Sequence, residues 1–396
     1  MKITLYNPLG ATQGHAQEYV DNICAGLISQ DTEVILVTTD DYEIAQQEIR
    51  NSIIKYAYIL GEAEVFGGAG NVLNSLRYGF WLIKTGFKSF STLAKSIKDQ
   101  KPDVCLMIGG SSLINAVVLP FFVMRFRKVK FGLTLHNVDL DWRLHHGNFV
   151  KKYYKILQII FTKASGCMGV TLLCHGEYMM ARAQEFLKST SFDFNYYPVP
   201  STISNLKIDV RSEKLSVPVI LFFGVIRHDK GLDILVSALK EILDLDWHLV
   251  IAGSSEQVGA KYVLDCIDPL PSNRVTTDLR YFTNQERDDY FVRSSIVCLP
   301  YRKTFIAQSV VMIDAMRFKK PVITTDDSEN GFNTRKYATG WSFESENVRA
   351  LIDTLRRSLS KREDIKNEGF EKFNYDHTPK AVARKIMKIY GEDSGY

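Results

Sequence analysis

Short apolar runs alternate with helical patterns along the amino half of the chain. Residues 3–6 are mostly apolar, 17–29 have helical spacing, and 32–38 enclose a second apolar run. Residues 104–108 and 130–135 read as further strands, each led by polar residues and ended by a turn or a polar residue. Strands separated by helices need crossover connections, so the pattern predicts a parallel sheet with helices on both faces. Residues 153–161 read as a helix and 167–174 as a strand. Pro198, Pro200 and the polar stretch 201–216 then break the alternation and predict a linker, with a domain boundary near residue 205.

The alternation restarts after the linker. The pattern predicts a strand over 217–223, a helix over about 231–243, a strand over 247–252 closed by Gly253, and a helix over 257–265. Asn284 reads as the cap of a helix with Glu286 in its first turn. Residues 296–300 form another strand, 301–307 a loop, and a helix runs from about Gln308 to the Lys320-Pro321 pair. Residues 322–325 are the last clear strand, and 378–390 have helical spacing. This divides the chain into a domain over 1–204, a second over 205–375, and a terminal helix within 376–396.

At 396 residues the chain is long enough for two domains, each with its own core. Hydrophobic content of 45% with 24% charged is that of a folded globular protein. A net charge of +4 is mild and gives no argument for nucleic acid. Six cysteines without a CxxC spacing, several inside apolar runs, read as reduced core residues of a cytosolic protein. The first ten residues hold too short an apolar core for a secretory signal. The longest apolar run, 116–124, contains Pro120 and falls short of the roughly 18 residues that a membrane span needs.

Candidate chemistry centres on 222–231, FFGVIRHDKG. An apolar strand ends at Gly224, and Arg227 and Lys230 follow before Leu232 opens a helix. Ligands of open parallel sheets sit beyond the carboxyl ends of strands, so two cations there suit a diphosphate; they also read as two solvated charges. Gly10 and Gly14, between the first strand and helix, let backbone amides approach a ligand or form a plain turn. His136 follows the 130–135 strand, either facing a crevice or serving structure. Gln308 and Ser309 sit where a helix start would present amides to a phosphate, and Asp314 lies on a face that a ribose could reach. The Asp139-Leu140-Asp141 triplet reads as a metal pair or, more simply, as a cap before Trp142.

Residues 70–100 interleave Arg77, Lys84, Lys88, Lys95 and Lys98 with five aromatics, and Arg125, Arg127, Lys128 and Lys130 follow an apolar stretch. The pattern fits contact with an anionic membrane, and equally a helix with one packed and one solvated face. Gly79 and Gly86 weaken the helix reading.

The segment FFGVIRHDKGLDILVSAL resembles the donor-site signature of the GT-B glycosyltransferases, in particular the retaining glycosyltransferase family 4. The likeness continues in order through LVIAGSS, RYF and LPYRKTFIAQSVVMIDAMRFKKPVITTDD. It covers the carboxyl half well and the amino half in patches. The resemblance implies an α/β GT-B fold, two Rossmann-like doubly wound domains facing a cleft, with the terminal helix crossing back to the first domain. It places Arg227 and Lys230 on the diphosphate of a UDP- or GDP-sugar, His136 of TLHN close to the transferred sugar, and Tyr281 and Phe282 beside the base. Gly10, Gly14, Gly224, Gln308, Ser309, Val310 and Asp314 complete the implied donor site.

One position departs from the family. Its glutamate, seven residues, glutamate pattern has Asp314 at the second acid and Ile306 at the first. Gln308-Ser309 resembles a Gln-Ser-Gly variant, with Val310 where glycine is expected. The implied activity is metal-independent, cofactor-free, retaining transfer to a hydroxyl of a saccharide or lipid-linked acceptor, without nucleic acid, in the cytoplasm at the inner membrane face. Ile306 also suggests a scaffold that has lost the chemistry. A UDP-sugar epimerase is the third reading, although the extra carboxylates it would want are missing.

Overall fold

The computed structural model describes residues 1–8, 15–59, 72–108, 113–136, 149–187, 192–198, 217–361 and 364–391. The chain divides into two compact units, Met1–Pro200 with Thr378–Tyr396, and Ser201–His377.

The first unit opens with β1 (Lys2–Tyr6), α1 (His15–Ile28), β2 (Glu33–Thr39), α2 (Gln47–Arg50) and β3 (Ile53–Tyr58). It continues through α3 (Val72–Gln100), β4 (Val104–Met107), α4 (Leu113–Arg125), β5 (Lys130–Leu135) and α5 (Phe149–Cys167). It ends with β6 (Thr171–His175), α6 (Glu177–Leu187) and β7 (Phe192–Asn195). The seven strands are parallel in the order β3-β2-β1-β4-β5-β6-β7, so the strand order reverses between β1 and β4. Central strands covered on both faces must be apolar throughout, and β1, β2 and β4 are buried at nearly every position.

Tertiary packing overrides the two glycines of α3, which runs unbroken for 29 residues. The Tyr6 hydroxyl donates to Ser89 Oγ (2.8 Å) and the Tyr6 ring meets Phe90 at 5.7 Å, which fastens the second half of the helix to the sheet. Cys167 corrects the sequence expectation of a core thiol, because it ends α5 and is exposed; β6 begins four residues later.

The second unit holds β8 (Val219–Phe223), α7 (Leu232–Leu239), β9 (His248–Ala252), α8 (Ala260–Ile267), β10 (Val275–Asp278) and α9 (Asn284–Arg293). After these come β11 (Ile296–Leu299), α10 (Val310–Arg317), β12 (Val322–Thr325), α11 (Glu329–Tyr337), β13 (Gly340–Phe343), α12 (Val348–Lys361) and α13 (Asn367–Asp376). Its six parallel strands run β10-β9-β8-β11-β12-β13. The order reverses between β8 and β11, and an open sheet parts there beyond its strand ends. Ile220, Phe222, Leu235, Leu239, Leu249, Ile296 and Leu355 are all buried in one apolar core that fixes both strands.

Three sequence expectations change. Thr283, not Asn284, caps α9: its hydroxyl accepts from the Glu286 amide (3.3 Å), while the Glu286 carboxylate accepts from the Thr283 amide (2.9 Å). The helix expected over 257–265 starts at Ala260, after Gly259 at φ 82°. One strand beyond 322–325 is present, β13, a four-residue edge too short to stand out as an apolar run. The terminal helix α14 (Pro379–Gly391) belongs to the first unit, where Lys130 Nζ donates to the Tyr390 carbonyl (2.9 Å).

Candidate functional site

Beyond β8 the chain must turn sharply without leaving the sheet edge. Gly224 (φ 106°) lies against Val311 in the first turn of α10, and Gly231 (φ 69°) lies so close to Pro300 that a Cβ would overlap the proline carbonyl oxygen. These two glycines bring the loop after β8 against the loop after β11. Arg302 ties the loops together: Nε donates to the His228 carbonyl (3.0 Å), the Arg302 amide to the Asp229 carbonyl (2.9 Å), and Nη2 to Asp233 (2.5 Å).

Arg227 and Lys230 both lie in this junction. Asp229 holds Arg227 at two points, Nε to Oδ1 (2.9 Å) and Nη2 to Oδ2 (2.8 Å), so the guanidinium is oriented and its Nη1 edge is left for a ligand. Lys230 Nζ sits 3.7 Å from the ring centre of Tyr301 and 3.6 Å from that of Phe305. Burial pushes the Lys230 ammonium down to about 7, Arg227 adds to the effect and Asp229 opposes it. The two ring faces also favour the charged form. A second negative charge, such as a phosphate, would restore full protonation.

Tyr301 links Lys230 to the start of α10. Its hydroxyl shares a 3.0 Å hydrogen bond with Ser309 Oγ. Ser309 is the N-cap of α10, yet its side chain does not cap the helix, and its amide donates to Asn330 Oδ1 (2.8 Å). The expected Ser309 amide is therefore taken, and Val310 and Val311 supply the first-turn donors that the helix leaves open. The Gln308 carboxamide is buried with neither its nitrogen nor its oxygen hydrogen-bonded, and Asn330 Nδ2 is in the same position. Two unsatisfied amide groups beside a helix start are where a polar ligand or ordered water would be placed.

Other predicted residues lie elsewhere. Asp314 is 2% exposed, 3.7 Å from Arg287 Nε, within a buried group that also contains Asp288 and Arg317. In this conformation its carboxylate supports the packing of α9 on α10 and presents no face to a ribose. Phe282 packs on Phe223 (5.7 Å) and Tyr290 (5.0 Å), while Tyr281 is exposed and its hydroxyl donates to Glu256 (3.2 Å). Ile306 accepts the Glu329 amide through its carbonyl (3.0 Å). Gly10, Gly14, Asp139 and Asp141 lie outside the described residues.

His136 belongs to the first unit and turns inward. Its Nε2 donates to the Ile108 carbonyl (2.6 Å), which makes Nδ1 the acceptor of the 3.0 Å bond from His175 Nε2. Burial lowers its proton affinity, opposed by the Ile108 bond, and Tyr19 packs edge-on against both imidazoles. A neutral imidazole with both nitrogens engaged results. His175, Tyr301, Phe305, Asp229 and Asn330 were not singled out from the sequence; only the aromatics, in YRKTF directly after a core strand, carried a local signal.

Residues 217–361, in the second unit, match the family described as glycosyl transferases group 1. A search of curated proteins found no match. Among solved structures, sucrose-phosphate synthase from Thermosynechococcus elongatus is similar over 99% of this chain and 98% of its own, at 15% identity and a TM-score of 0.72. WaaG, a glycosyltransferase involved in lipopolysaccharide biosynthesis, is similar over 100% of both chains at 12% identity and a TM-score of 0.63. Anabaena Alr3699/HepE, solved in complex with UDP and glucose, is similar over 99% of both at 15% identity and a TM-score of 0.64. At these identities the likeness is one of fold. The fold is GT-B, with two parallel-sheet α/β domains.

Proposed function

We propose that the chain is a retaining glycosyltransferase that moves a sugar from a nucleoside diphosphate sugar to a hydroxyl acceptor. The observation that carries this reading is the convergence of Arg227, Lys230 and the start of α10 around Tyr301, where the strand order of the second sheet reverses. The group 1 match over the same segment supports it, and the UDP and glucose of the HepE structure favour a UDP-sugar over a GDP-sugar donor.

As the bond from the sugar C1 to the diphosphate breaks, negative charge grows on the leaving phosphate. Arg227 Nη1, Lys230 and the Val310 and Val311 amides are set to meet that charge, and one such preorganised donor is typically worth about 2.7–4 kcal/mol. The acceptor hydroxyl attacks the face the diphosphate leaves and gives its proton to the departing phosphate oxygen. No metal or other cofactor enters this scheme. The Gln308 carboxamide and the Asn330 Nδ2, which have no hydrogen-bond partner, are the groups we assign to the sugar hydroxyls where Ile306 replaces the family acid. We place the acceptor, a saccharide or a lipid-linked glycan, at the inner face of the cytoplasmic membrane.

The test is incubation with UDP- and GDP-sugars and an acceptor, with the anomeric configuration of product read by proton NMR. Product with the configuration of the donor is expected; inverted product contradicts retention. Saturable donor binding without hydrolysis or transfer supports the second reading, a GT-B scaffold, which Ile306 motivates.

A further inference from the structure

We propose that the outer side of α3, α4 and α5 is a docking surface for an anionic lipid bilayer. It deepens the reading of a lipid-linked acceptor, and its chemistry stands apart from the donor site. The crossovers β3 to β4, β4 to β5 and β5 to β6 all run in the same direction across the first sheet, so right-handed connections put the three helices on one face. α4 packs against both α3 and α5. Its Phe122 meets Phe90 of α3 at 5.6 Å, which leaves Phe121 (63% exposed) and Met124 (50%) on the solvent side. On α5, Ile160 is 54% exposed, with the exposed Ile156 one turn before it and the exposed Lys163 one turn after. Phe87 of α3 is 75% exposed and Lys88 follows it.

Cations border these apolar side chains. Arg125, Arg127 and Lys128 are exposed at the end of α4, and neither they nor Lys88 and Lys163 pair with a carboxylate among the described residues. The charge of the region is of a single sign. Among the side chains that the structure describes, α3, α4 with residues 126–128, and α5 hold seven Lys and Arg and one carboxylate, Asp99, which is +6 in a chain whose net charge is +4. A folded protein partner would need a matched apolar or acidic surface. A bilayer needs only phosphates for the cations and acyl chains for isolated Phe, Met and Ile side chains, without a fixed shape. A nucleic acid would use the cations and leave Met124 and Ile160 without a role. No described helix is long and apolar enough to cross a membrane, and this surface would lie on one.

The test is co-sedimentation of the full chain with vesicles of phosphatidylglycerol and phosphatidylcholine, and with phosphatidylcholine alone. Binding to the anionic vesicles is expected, at least about tenfold stronger than to the neutral ones and weakened by salt. The triple variant Arg125→Glu, Arg127→Glu, Lys128→Glu and, separately, Phe121→Ser with Ile160→Ser should each weaken it by at least about tenfold. These side chains are exposed, so Tm should not move. Equal binding to both vesicles, no binding to the anionic ones, or variants that bind like the parent would overturn the proposal. So would self-association or RNA binding that the same variants abolish while vesicles stay unbound. Vesicle binding is read without donor or acceptor, so its failure leaves the donor site of Arg227 and Lys230 standing.

Discussion

The ammonium of Lys230 lies 3.7 Å from the ring centre of Tyr301 and 3.6 Å from that of Phe305, whose ring meets Tyr301 edge-on at 4.8 Å. A partly desolvated cation held by two ring faces gains up to about 2 kcal/mol from such contacts. Replacing Phe305 by Leu keeps an apolar neighbour and removes one face. The variant should bind a UDP-sugar about threefold to thirtyfold more weakly by calorimetric titration, with little change in Tm. Unchanged affinity would mean that the ring only fills space.

The same lysine predicts a pH dependence. Burial lowers its folded-state value from 10.5 to about 7, below that of the unfolded chain. Between these values the unfolded chain binds the extra proton, so stability rises with pH across that window, and below about 7 the folded state carries a fully charged, buried ammonium. A bound diphosphate favours the charged form, so donor binding takes up a proton above about pH 7 and affinity falls as pH rises. Calorimetry in buffers of different ionisation enthalpy should detect that proton, and Lys230→Gln should abolish it.

His136 and His175 predict a fixed tautomer. With Ile108 accepting from Nε2 of His136, its Nδ1 must stay unprotonated to accept from His175. Nitrogen NMR at neutral pH should find His136 neutral and Nε2-protonated, with its titration moved below the ordinary imidazole value by burial. Titration at the ordinary value of 6.5 would contradict the geometry.

Asp288 sits between two buried guanidiniums, 3.1 Å from Arg287 and 3.3 Å from Arg317. Asp288→Ala leaves both charges without their shared partner and should cost about 3–5 kcal/mol in urea denaturation. A loss below 1 kcal/mol, of the size of an exposed pair, would show that water reaches the group.

Much of this was legible along the chain because it is local. Residues 130–135 and 322–325 bound β5 and β12 as expected, since an apolar run between polar ends is a property of neighbours. The strand, basic loop and helix at 217–232 were visible for the same reason, and GT-B architecture followed from the motif they form. The partners were not legible, because they come from distant positions. Nothing near Ser309 announces that Asn330 takes its amide, and nothing near Asp314 that Arg287 meets it. The contact that holds α3 to the sheet just past Gly86 comes from Tyr6, 83 residues from Ser89 in the chain.

The most direct measurement is equilibrium binding of a UDP-sugar to the parent chain and to the Arg227→Ala and Lys230→Ala variants. Each substitution removes one charged donor, and affinity should fall about tenfold to a hundredfold per variant while the urea midpoint does not drop below that of the parent. Parent-like affinity in the double variant would mean that the diphosphate binds elsewhere, and that the junction of the two loops is not the donor site.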